Sequence, residues 1–449
     1  MWQMAKAISA EDLATFQKDL AETPASSVIQ KAVMNNGVLA ASENTDSKIA
    51  MDQTFSIDLS TGAVANQKQS GRCWMFAALN TMRHQIQAQF KLKDFELSQN
   101  YTFFWDKFEK SNYFYENVIA TADADIDSRK VAWLMANPQG DGGQWDMLTA
   151  LIDKYGIVPK SVMPETYSSS KSSELNSVLN LKLRKDAVTL RGAVANGESA
   201  DAIQAKKEQM LSEIYRILSY TLGNPPTKFD FEYRDDDKEY HIDRDLTPQT
   251  FFKKYIGWDT DSFQSIINGP TADKPFNHLY TVEMLGNVVG GRQVRHLNLD
   301  IDTFKQLAIK QLENGETVWF GSDVGQSSDR QLGIMDTAIY DKDALFNTDF
   351  TMTKADRLDY GESLMTHAMV LTGVDIVDGK PTKWKVENSW GDKVGEKGYF
   401  VASDSWFDEF VYQVVINKRY LPSDLQAVIK NEYDKPTVLK PWDPMGALA

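Results

Sequence analysis

The chain has 449 residues, of which 42% are hydrophobic and 25% charged, a balance typical of folded globular proteins and not of disordered, collagen-like or low-complexity sequences. This length corresponds to about two to four domains, or to one catalytic core that carries large insertions. The 63 acidic residues outnumber the 48 basic ones. The resulting net charge of −15 disfavours nucleic acid as a partner, because it repels a phosphate backbone.

Residue usage also predicts the compartment. A single cysteine excludes an intrachain disulfide and favours a reducing environment. The first residues form an amphipathic, partly acidic pattern without the basic flank and apolar run of a signal peptide. No stretch reaches the ~18 consecutive apolar residues of a membrane helix. We therefore expect a cytoplasmic protein that does not associate with membranes.

The first third of the chain has helical patterns. Ser9 precedes a helix whose apolar residues are Leu13, Phe16 and Leu20, and residues 30–60 then lose periodicity. Apolar residues recur at helical spacing over 73–90, which places Cys73 in the first turn of a mostly buried helix. Further helices are predicted over 98–108, 128–135 and 144–155.

The second part of the chain changes character twice. Residues 168–268 are polar, with helical periodicity over 174–183 and 202–222 and an acidic run at 235–237, and this region is interpreted as an insertion. Short β-rich runs follow, at 280–285, 316–324, 367–377, 382–390, 398–403 and 410–416. The tail from Leu421 contains four prolines and is expected to lie extended against the rest of the molecule.

These patterns predict an α+β fold with a helical lobe followed by a β-rich, barrel-like lobe. The expected segments are an N-terminal helix and extension (1–60), a helical lobe (61–167), a helical insertion (168–278), a β-rich lobe (279–420) and a C-terminal arm (421–449).

Cys73 is the candidate nucleophile. A lone cysteine is more often a small buried hydrophobe, but the helix N-terminus surrounds this thiol with a positive dipole end and unpaired N–H groups. Both favour the thiolate and a lowered pKa. Gly71 permits a tight turn into the helix.

His367 and Asn388 are candidate partners for this thiol. Each lies in one of two neighbouring β runs, so the sheet can bring them together, and an Asn amide oxygen can orient the imidazole. Trp390 is positioned to shield that bond, and Gln67 lies close enough to supply an oxyanion donor with the Cys73 N–H. The other histidines have ordinary core or surface surroundings: His84, His241, His278 and His296.

Four strings in order resemble the papain-like cysteine peptidases: NQKQSGRCWMF (66–76), DGG (141–143), THAMVLTGV (366–374) and VENSWG (386–391). The resemblance implies Cys73 as nucleophile, His367 as acid and base, Asn388 as orienting residue and Gln67 as oxyanion donor. It also implies that Gly142 and Gly143 pair with the substrate backbone and that Ala368 lies at the S2 pocket. No metal or other cofactor is implied.

Two departures narrow the resemblance. Ser70 replaces a disulfide cysteine of the secreted members, and Arg72 replaces the small residue before the nucleophile. The distance from Cys73 to His367 is roughly 150 residues longer than the papain signature expects. With its insertion and its ending PWDPMGALA, the chain resembles the bleomycin hydrolase and bacterial aminopeptidase C branch.

That branch implies a cysteine aminopeptidase that acts on peptides with a free N-terminus. It further implies a homohexameric ring and a C-terminal arm in the chain's own cleft, with the Ala449 carboxylate as an anchor for the substrate amine. Two alternatives remain open: the same fold acting as an amide hydrolase or acyl transferase on non-peptide substrates, and an assembly that mainly binds nucleic acid.

Overall fold

The computed structural model describes residues 5–59, 61–93 and 95–448. Seventeen α-helices lie in these ranges: Ala10–Glu22, Ser26–Asn36, Val38–Ser42, Thr45–Ala50, Cys73–Phe90, Gln99–Ala120, Arg129–Ala136, Trp145–Tyr155, Tyr167–Ser170, Ser173–Ala195, Ala200–Leu222, Pro248–Tyr255, Ile301–Glu313, Lys342–Phe346, Lys354–Asp359, Asp404–Phe410 and Ser423–Glu432. None of these helices has the length and apolar character needed to cross a bilayer.

The N-terminal region is more helical than its pattern indicates. The predicted first helix is confirmed, and Ser9 and Asp12 form a reciprocal capping box at its start. Its apolar residues face solvent, with Leu13, Phe16 and Leu20 each more than half exposed. Residues 26–50 form three further short helices. The sequence shows no periodic apolar pattern for these helices, because the longest of them, Ser26–Asn36, buries no residue and so needs no apolar face.

The helix Cys73–Phe90, called here the central helix, is confirmed with the predicted bounds. It is buried on nearly all sides in its first half, where Trp74, Met75 and Phe76 are fully enclosed. It packs against the strand His367–Val377. Two large clusters of buried hydrophobic side chains flank this contact, one mainly helical and one in the sheet. The central helix therefore lies where the two lobes meet.

The predicted insertion contains two long helices, as expected, and also strands. Ser173–Ala195 and Ala200–Leu222 pack on Gln99–Ala120. A two-stranded hairpin, Phe229–Arg234 with Tyr240–Leu246, follows, and the acidic run 235–237 lies in its turn.

Twelve strands form one mixed sheet among the described residues. Their order across the sheet is Thr437–Leu439, His278–Val282, His296–Asn298, Phe263–Ile267, Val411–Asn417, Val318–Ser322, His367–Val377, Lys380–Glu387, Tyr399–Ser403, Ile334–Met335 and Ser328–Asp329, with Ile57–Asp58 added beside His367–Val377. Phe263–Ile267 joins this sheet although it lies within the segment expected as insertion. The α+β class is confirmed.

Strand register puts the candidate catalytic residues at one end of the sheet. His367 begins its strand and pairs with Ser322. The antiparallel neighbour Lys380–Glu387 ends beside Val370, so Asn388 follows directly at the same end. The two side chains are therefore brought together by strand pairing, as the spacing predicts.

The C-terminal tail is only partly extended. Ser423–Glu432 is a helix that buries Leu425 and Ile429, one turn apart, against the sheet. Thr437–Leu439 then adds a parallel strand beside His278–Val282. The expectation of an extended tail is therefore wrong for its first third. Burial of Leu425 and Ile429 favours a helix there, and Pro422 does not prevent it because it lies at the N-cap, before the first helical residue.

Candidate active site

Cys73 is the first residue of the central helix and its thiol is buried. The side chain of Arg72, the N-cap residue, makes no capping hydrogen bond to the start of this helix. The backbone N–H groups of Ala368, Trp74 and Cys73 itself favour the thiolate form of this side chain. The central helix packs against the strand that begins at His367, so the thiol lies in the same part of the molecule as the histidine.

Burial acts against the charged form of both groups. It raises the pKa of the Cys73 thiol to about 11, although the three backbone N–H groups act to lower it. The expected low thiol pKa is therefore not what the buried site produces. Burial also lowers the pKa of His367 to about 4, against the hydrogen bond to Asn388. Transfer of the thiol proton to the imidazole creates two opposite charges together, and their attraction offsets part of the cost of burying each.

His367 is oriented by Asn388. The imidazole Nε2 donates to Asn388 Oδ1 over 2.8 Å, and the same oxygen accepts the Ser389 N–H. The Trp390 ring lies 4.8 Å from the imidazole and covers it. With Nε2 engaged as a donor, Nδ1 is the nitrogen that can accept a proton. The expected arrangement of His367, Asn388 and Trp390 is present.

Gln67 is held at both ends of its amide. Its Nε2 donates to the Ser70 carbonyl over 2.6 Å, and its Oε1 accepts from Ser389 Oγ over 2.7 Å. The Gln67 backbone N–H also donates to the Ser389 carbonyl. One of the two amide hydrogens remains available for an oxyanion. Ser389, which the sequence did not single out, thus links Gln67 to the segment that carries Asn388.

Gly143 contacts the chain's own C-terminal arm. Its N–H donates to the Leu448 carbonyl over 2.9 Å. A Cβ at Gly143 would lie 2.6 Å from the Trp74 ring, so only glycine fits there. The neighbouring Gly142 carbonyl accepts from Lys110 Nζ. Ala449, the expected anchor of the substrate amine, lies outside the described residues. Leu448, the residue before it, is buried in a groove beside Gly143.

Asp141 holds the turn before Cys73. Its carboxylate accepts the Gly71 N–H over 2.9 Å and pairs with Lys107 at 2.9 Å. Ser172 and Asn176, from the start of an insertion helix, also donate to it. Burial acts to raise the pKa of Asp141, but the Lys107 charge and these donors outweigh it and hold that pKa well below its usual range. In the sequence, Asp141 is marked only by its position directly before the two glycines of the DGG string.

Arg72 is fully buried beside Cys73. Its guanidinium binds both carboxylate oxygens of Glu165, at 3.1 and 2.7 Å, and its Nε donates to Ser70 Oγ. Ser70 and Arg72 are the two positions at which the sequence departs from the secreted papain-like peptidases. The structure shows that together they tie this loop to Glu165 by an ion pair, in a chain that cannot form a disulfide here.

Glu387 joins the central helix to the strand before Asn388. Its buried Oε1 accepts from Arg83 over 2.7 Å and from Asn80 over 3.0 Å, and its Oε2 lies 2.9 Å from His84 Nε2. The three partners occupy one helix face. Burial acts to raise the pKa of Glu387, but His84 and Arg83 outweigh it and lower that pKa. No local sequence pattern indicates this cluster, because Glu387 lies about 300 residues from its partners on the helix.

Comparison with known proteins identifies the class. Residues 7–446 match the model of the Peptidase C1-like family. Aminopeptidase C of Lactobacillus delbrueckii subsp. lactis is 60% identical over 446 residues, covering 99% of both chains. Aminopeptidase C of Listeria innocua is 53% identical and covers 99% of this chain and 100% of its own. A crystal structure of PepW from Lactobacillus rhamnosis HN001 superposes with a TM-score of 0.99 at 80% identity, covering 99% of this chain and 100% of that one.

The chain therefore belongs to the Peptidase C1-like family, whose fold has the papain-like two-lobed design. Within that family it is a cysteine aminopeptidase. Among the described residues, no group of three or more His, Cys, Asp or Glu side chains is arranged to hold a metal ion.

The Glu387 cluster predicts a pH-dependent loss of stability. Because the folded protein lowers the pKa of Glu387, its carboxylate stabilises the fold above the unfolded pKa of about 4.3, and this contribution is lost in acid. Glu387→Gln should lower the free energy of unfolding by about 3 to 5 kcal/mol at pH 7, since it leaves Arg83 buried without its counter-ion. Urea denaturation from pH 7 to pH 4 measures the difference.

We expect the gap between Glu387→Gln and wild type to narrow from about pH 5 downward. Glu232→Gln, on the exposed face of the hairpin, is the matched control and should change little at any pH. A gap that stays constant with pH would contradict the assigned role.

Proposed function

We propose that the protein removes N-terminal amino acids from peptides by acyl transfer to Cys73, in a cleft that its own C-terminal arm shortens. One observation carries this proposal: the Leu448 carbonyl accepts a hydrogen bond from the Gly143 N–H, two residues from Asp141 and directly beside Trp74. A chain terminus paired with backbone in this groove occupies it as a peptide would.

The reaction begins with proton transfer from Cys73 to His367. The thiolate attacks the first peptide carbonyl, and the carbonyl oxygen becomes an oxyanion. His367 then gives its proton to the departing amine, which leaves a thioester on Cys73. Water deprotonated by His367 hydrolyses the thioester and releases the N-terminal amino acid.

The oxyanion is stabilised by two donors that exist before substrate binds. Gln67 Nε2 retains one free hydrogen, and its amide is locked by Ser70 and Ser389. The Cys73 N–H at the uncapped helix start is the second donor. Donors that need no rearrangement stabilise the developing charge more than water does.

The arm is fixed at several points upstream of its end. Lys274 Nζ lies 3.1 Å from the Asp443 carboxylate, and the Arg129 guanidinium stacks 3.9 Å from the Trp442 ring. Met445 is completely buried. An arm held this way leaves room for about one substrate residue before the scissile bond. We infer that the Ala449 carboxylate binds the free α-amine of the substrate.

We also propose a cytoplasmic homohexamer. The resemblance to the bleomycin hydrolase and aminopeptidase C branch supports the assembly, and the single cysteine supports a reducing compartment. The exposed apolar face of Ala10–Glu22 supports contact with another subunit, because such a face is seldom left to solvent. Peptides with a free N-terminus are the proposed substrates, and the charge of −15 disfavours nucleic acid.

The first test concerns the thiol. Cys73→Ala should abolish hydrolysis of aminoacyl coumarylamides without changing the circular dichroism spectrum, because the nucleophile is lost and the helix remains. Iodoacetamide should inactivate wild type with one adduct per chain, measured by intact mass. Hydrolysis by Cys73→Ala at the wild-type rate would refute the mechanism.

The second test separates oxyanion binding from imidazole orientation. Gln67→Ala should lower kcat by about 10² to 10³ with a smaller change in KM, because its hydrogen bond strengthens in the transition state. Asn388→Ala should be milder than His367→Ala, since the imidazole loses its orientation but keeps its chemistry. Steady-state kinetics on one substrate compare the three variants. A change in KM alone for Gln67→Ala would contradict its role.

The third test concerns the arm. Deletion of residues 445–449 should raise cleavage of N-acetylated and internal peptide bonds and lower cleavage of free-amine substrates, because the groove opens and the anchor is lost. Lys274→Met should shift selectivity in the same direction but less, since it loosens the arm without removing it. Product analysis by mass spectrometry measures the ratio. An unchanged preference for free N-termini in the deletion variant would exclude the arm as the selectivity element.

A further inference from the structure

Arg330 is an exposed cation close to the candidate catalytic histidine. Its Cζ lies 4.2 Å from the centre of the Trp390 ring, which lies 4.8 Å from the His367 ring. The guanidinium is therefore within about 9 Å of the imidazole, the span of two to three extended residues. Consistent with this proximity, its charge acts to lower the pKa of His367, after the larger effect of burial.

Arg330 has no acidic partner in the described part of the chain, although the protein carries 63 acidic residues and a net charge of −15. Its five N–H donors are thus available, while stacking on Trp390 restricts the side chain. An unpaired arginine beside a reaction centre is a candidate for binding a carboxylate in two parallel hydrogen bonds.

The turn that carries Arg330 is held on both sides. The Asp329 carboxylate accepts the N–H groups of Gln331 and Leu332, each over 2.9 Å. The Gly395 N–H donates to the Gln331 carbonyl over 3.1 Å and links this turn to the loop after Trp390. The position of Arg330 is therefore set before any ligand binds.

The position of the arm and the direction of proton transfer indicate which side of the cleft binds the substrate residues after the scissile bond. Leu448 on Gly143 occupies the groove on the helical-lobe side of Cys73. His367 must protonate the leaving amine, so the residues after the scissile bond begin beside His367 and extend away from the arm. Trp390 covers His367 and Arg330 stacks on Trp390, so we assign both residues to the leaving-group side.

We propose that Arg330 binds a substrate carboxylate on the leaving-group side of the scissile bond. This proposal rests on the aminopeptidase mechanism above and adds a substrate class: short peptides whose first or second residue after the bond presents a carboxylate. That group comes either from the free C-terminus of a dipeptide or tripeptide, or from an acidic side chain. Because one extended residue spans about 3.4 Å, both sources fall within reach of the guanidinium.

The test compares matched substrates that share an N-terminal alanine. Alanyl dipeptides and tripeptides with free or amidated C-termini isolate the terminal carboxylate. Amidated dipeptides with glutamate or glutamine in second place isolate the side chain. The measured quantity is the ratio of kcat/KM for the carboxylate substrate to that for its neutral partner.

In Arg330→Gln, this ratio should fall on the order of tenfold for at least one pair, mainly through KM, because a charge-assisted hydrogen bond at a partly exposed site is lost. Arg330→Lys should retain part of the preference, since the charge remains but the two parallel bonds do not. In wild type the ratio should shrink with added salt. Arg216→Gln, which makes the same charge change at an exposed site on an insertion helix, should leave every ratio unchanged.

Two results would overturn the proposal: ratios in Arg330→Gln equal to those of wild type for every pair, or an equal loss on carboxylate and neutral substrates. Failure of the aminopeptidase mechanism is distinguishable. In that case wild type would not cleave alanine 4-methylcoumarylamide, which carries no carboxylate at all.

Discussion

The contact between the central helix and the strand that begins at His367 is the constraint on which the site depends. It brings a residue from the first quarter of the chain against residues near its end. Buried charge holds this contact from the strand side, where Glu387 binds three side chains of the helix directly before Asn388. The same peptide segment thus carries Glu387, which anchors the central helix, and Asn388, which orients the histidine. A shift of the helix would therefore disturb both sides of the candidate catalytic pair.

Burial gives this site its chemical character. A buried thiol and a buried imidazole each resist charging alone, as the raised pKa of Cys73 and the lowered pKa of His367 record. In the proposed mechanism their joint ionisation produces a pair of opposite charges, which the surrounding N–H donors and Asn388 would stabilise. The loop before Cys73 is itself held by ionic groups, since Asp141 and Glu165 fix Gly71 and Arg72. Ionic and hydrogen-bonded contacts therefore hold the loop before Cys73, in a chain whose single cysteine cannot form an intrachain disulfide.

The arm and Arg330 contact different parts of the candidate site. The arm is anchored to the β-rich lobe by Lys274 and a parallel strand, and it reaches the helical lobe at Gly143. Arg330 stacks on the tryptophan that covers the histidine. In the proposed mechanism the arm limits the cleft on the side of the substrate amine, and Arg330 binds a substrate carboxylate.

The local sequence determined much of this protein. Apolar spacing predicted the central helix and six of the fourteen strands in the described residues, because helices and strands that form a core must turn apolar residues toward it. The four strings around Cys73, Asp141, His367 and Asn388 predicted the family. Two groups of helices were not predicted from the sequence. The short helices at 26–50 bury little apolar surface, and the helix Ser423–Glu432 lies in a proline-rich segment.

Only the tertiary structure decided the pairs that span the chain. Glu387 with Arg83, Arg72 with Glu165, and Leu448 with Gly143 join residues tens to hundreds of positions apart, and no local pattern records such a pairing. The thiol pKa is the clearest case. The helix N-terminus favours a low value, which a local reading can anticipate, whereas the opposing cost of burial depends on every element packed around Cys73.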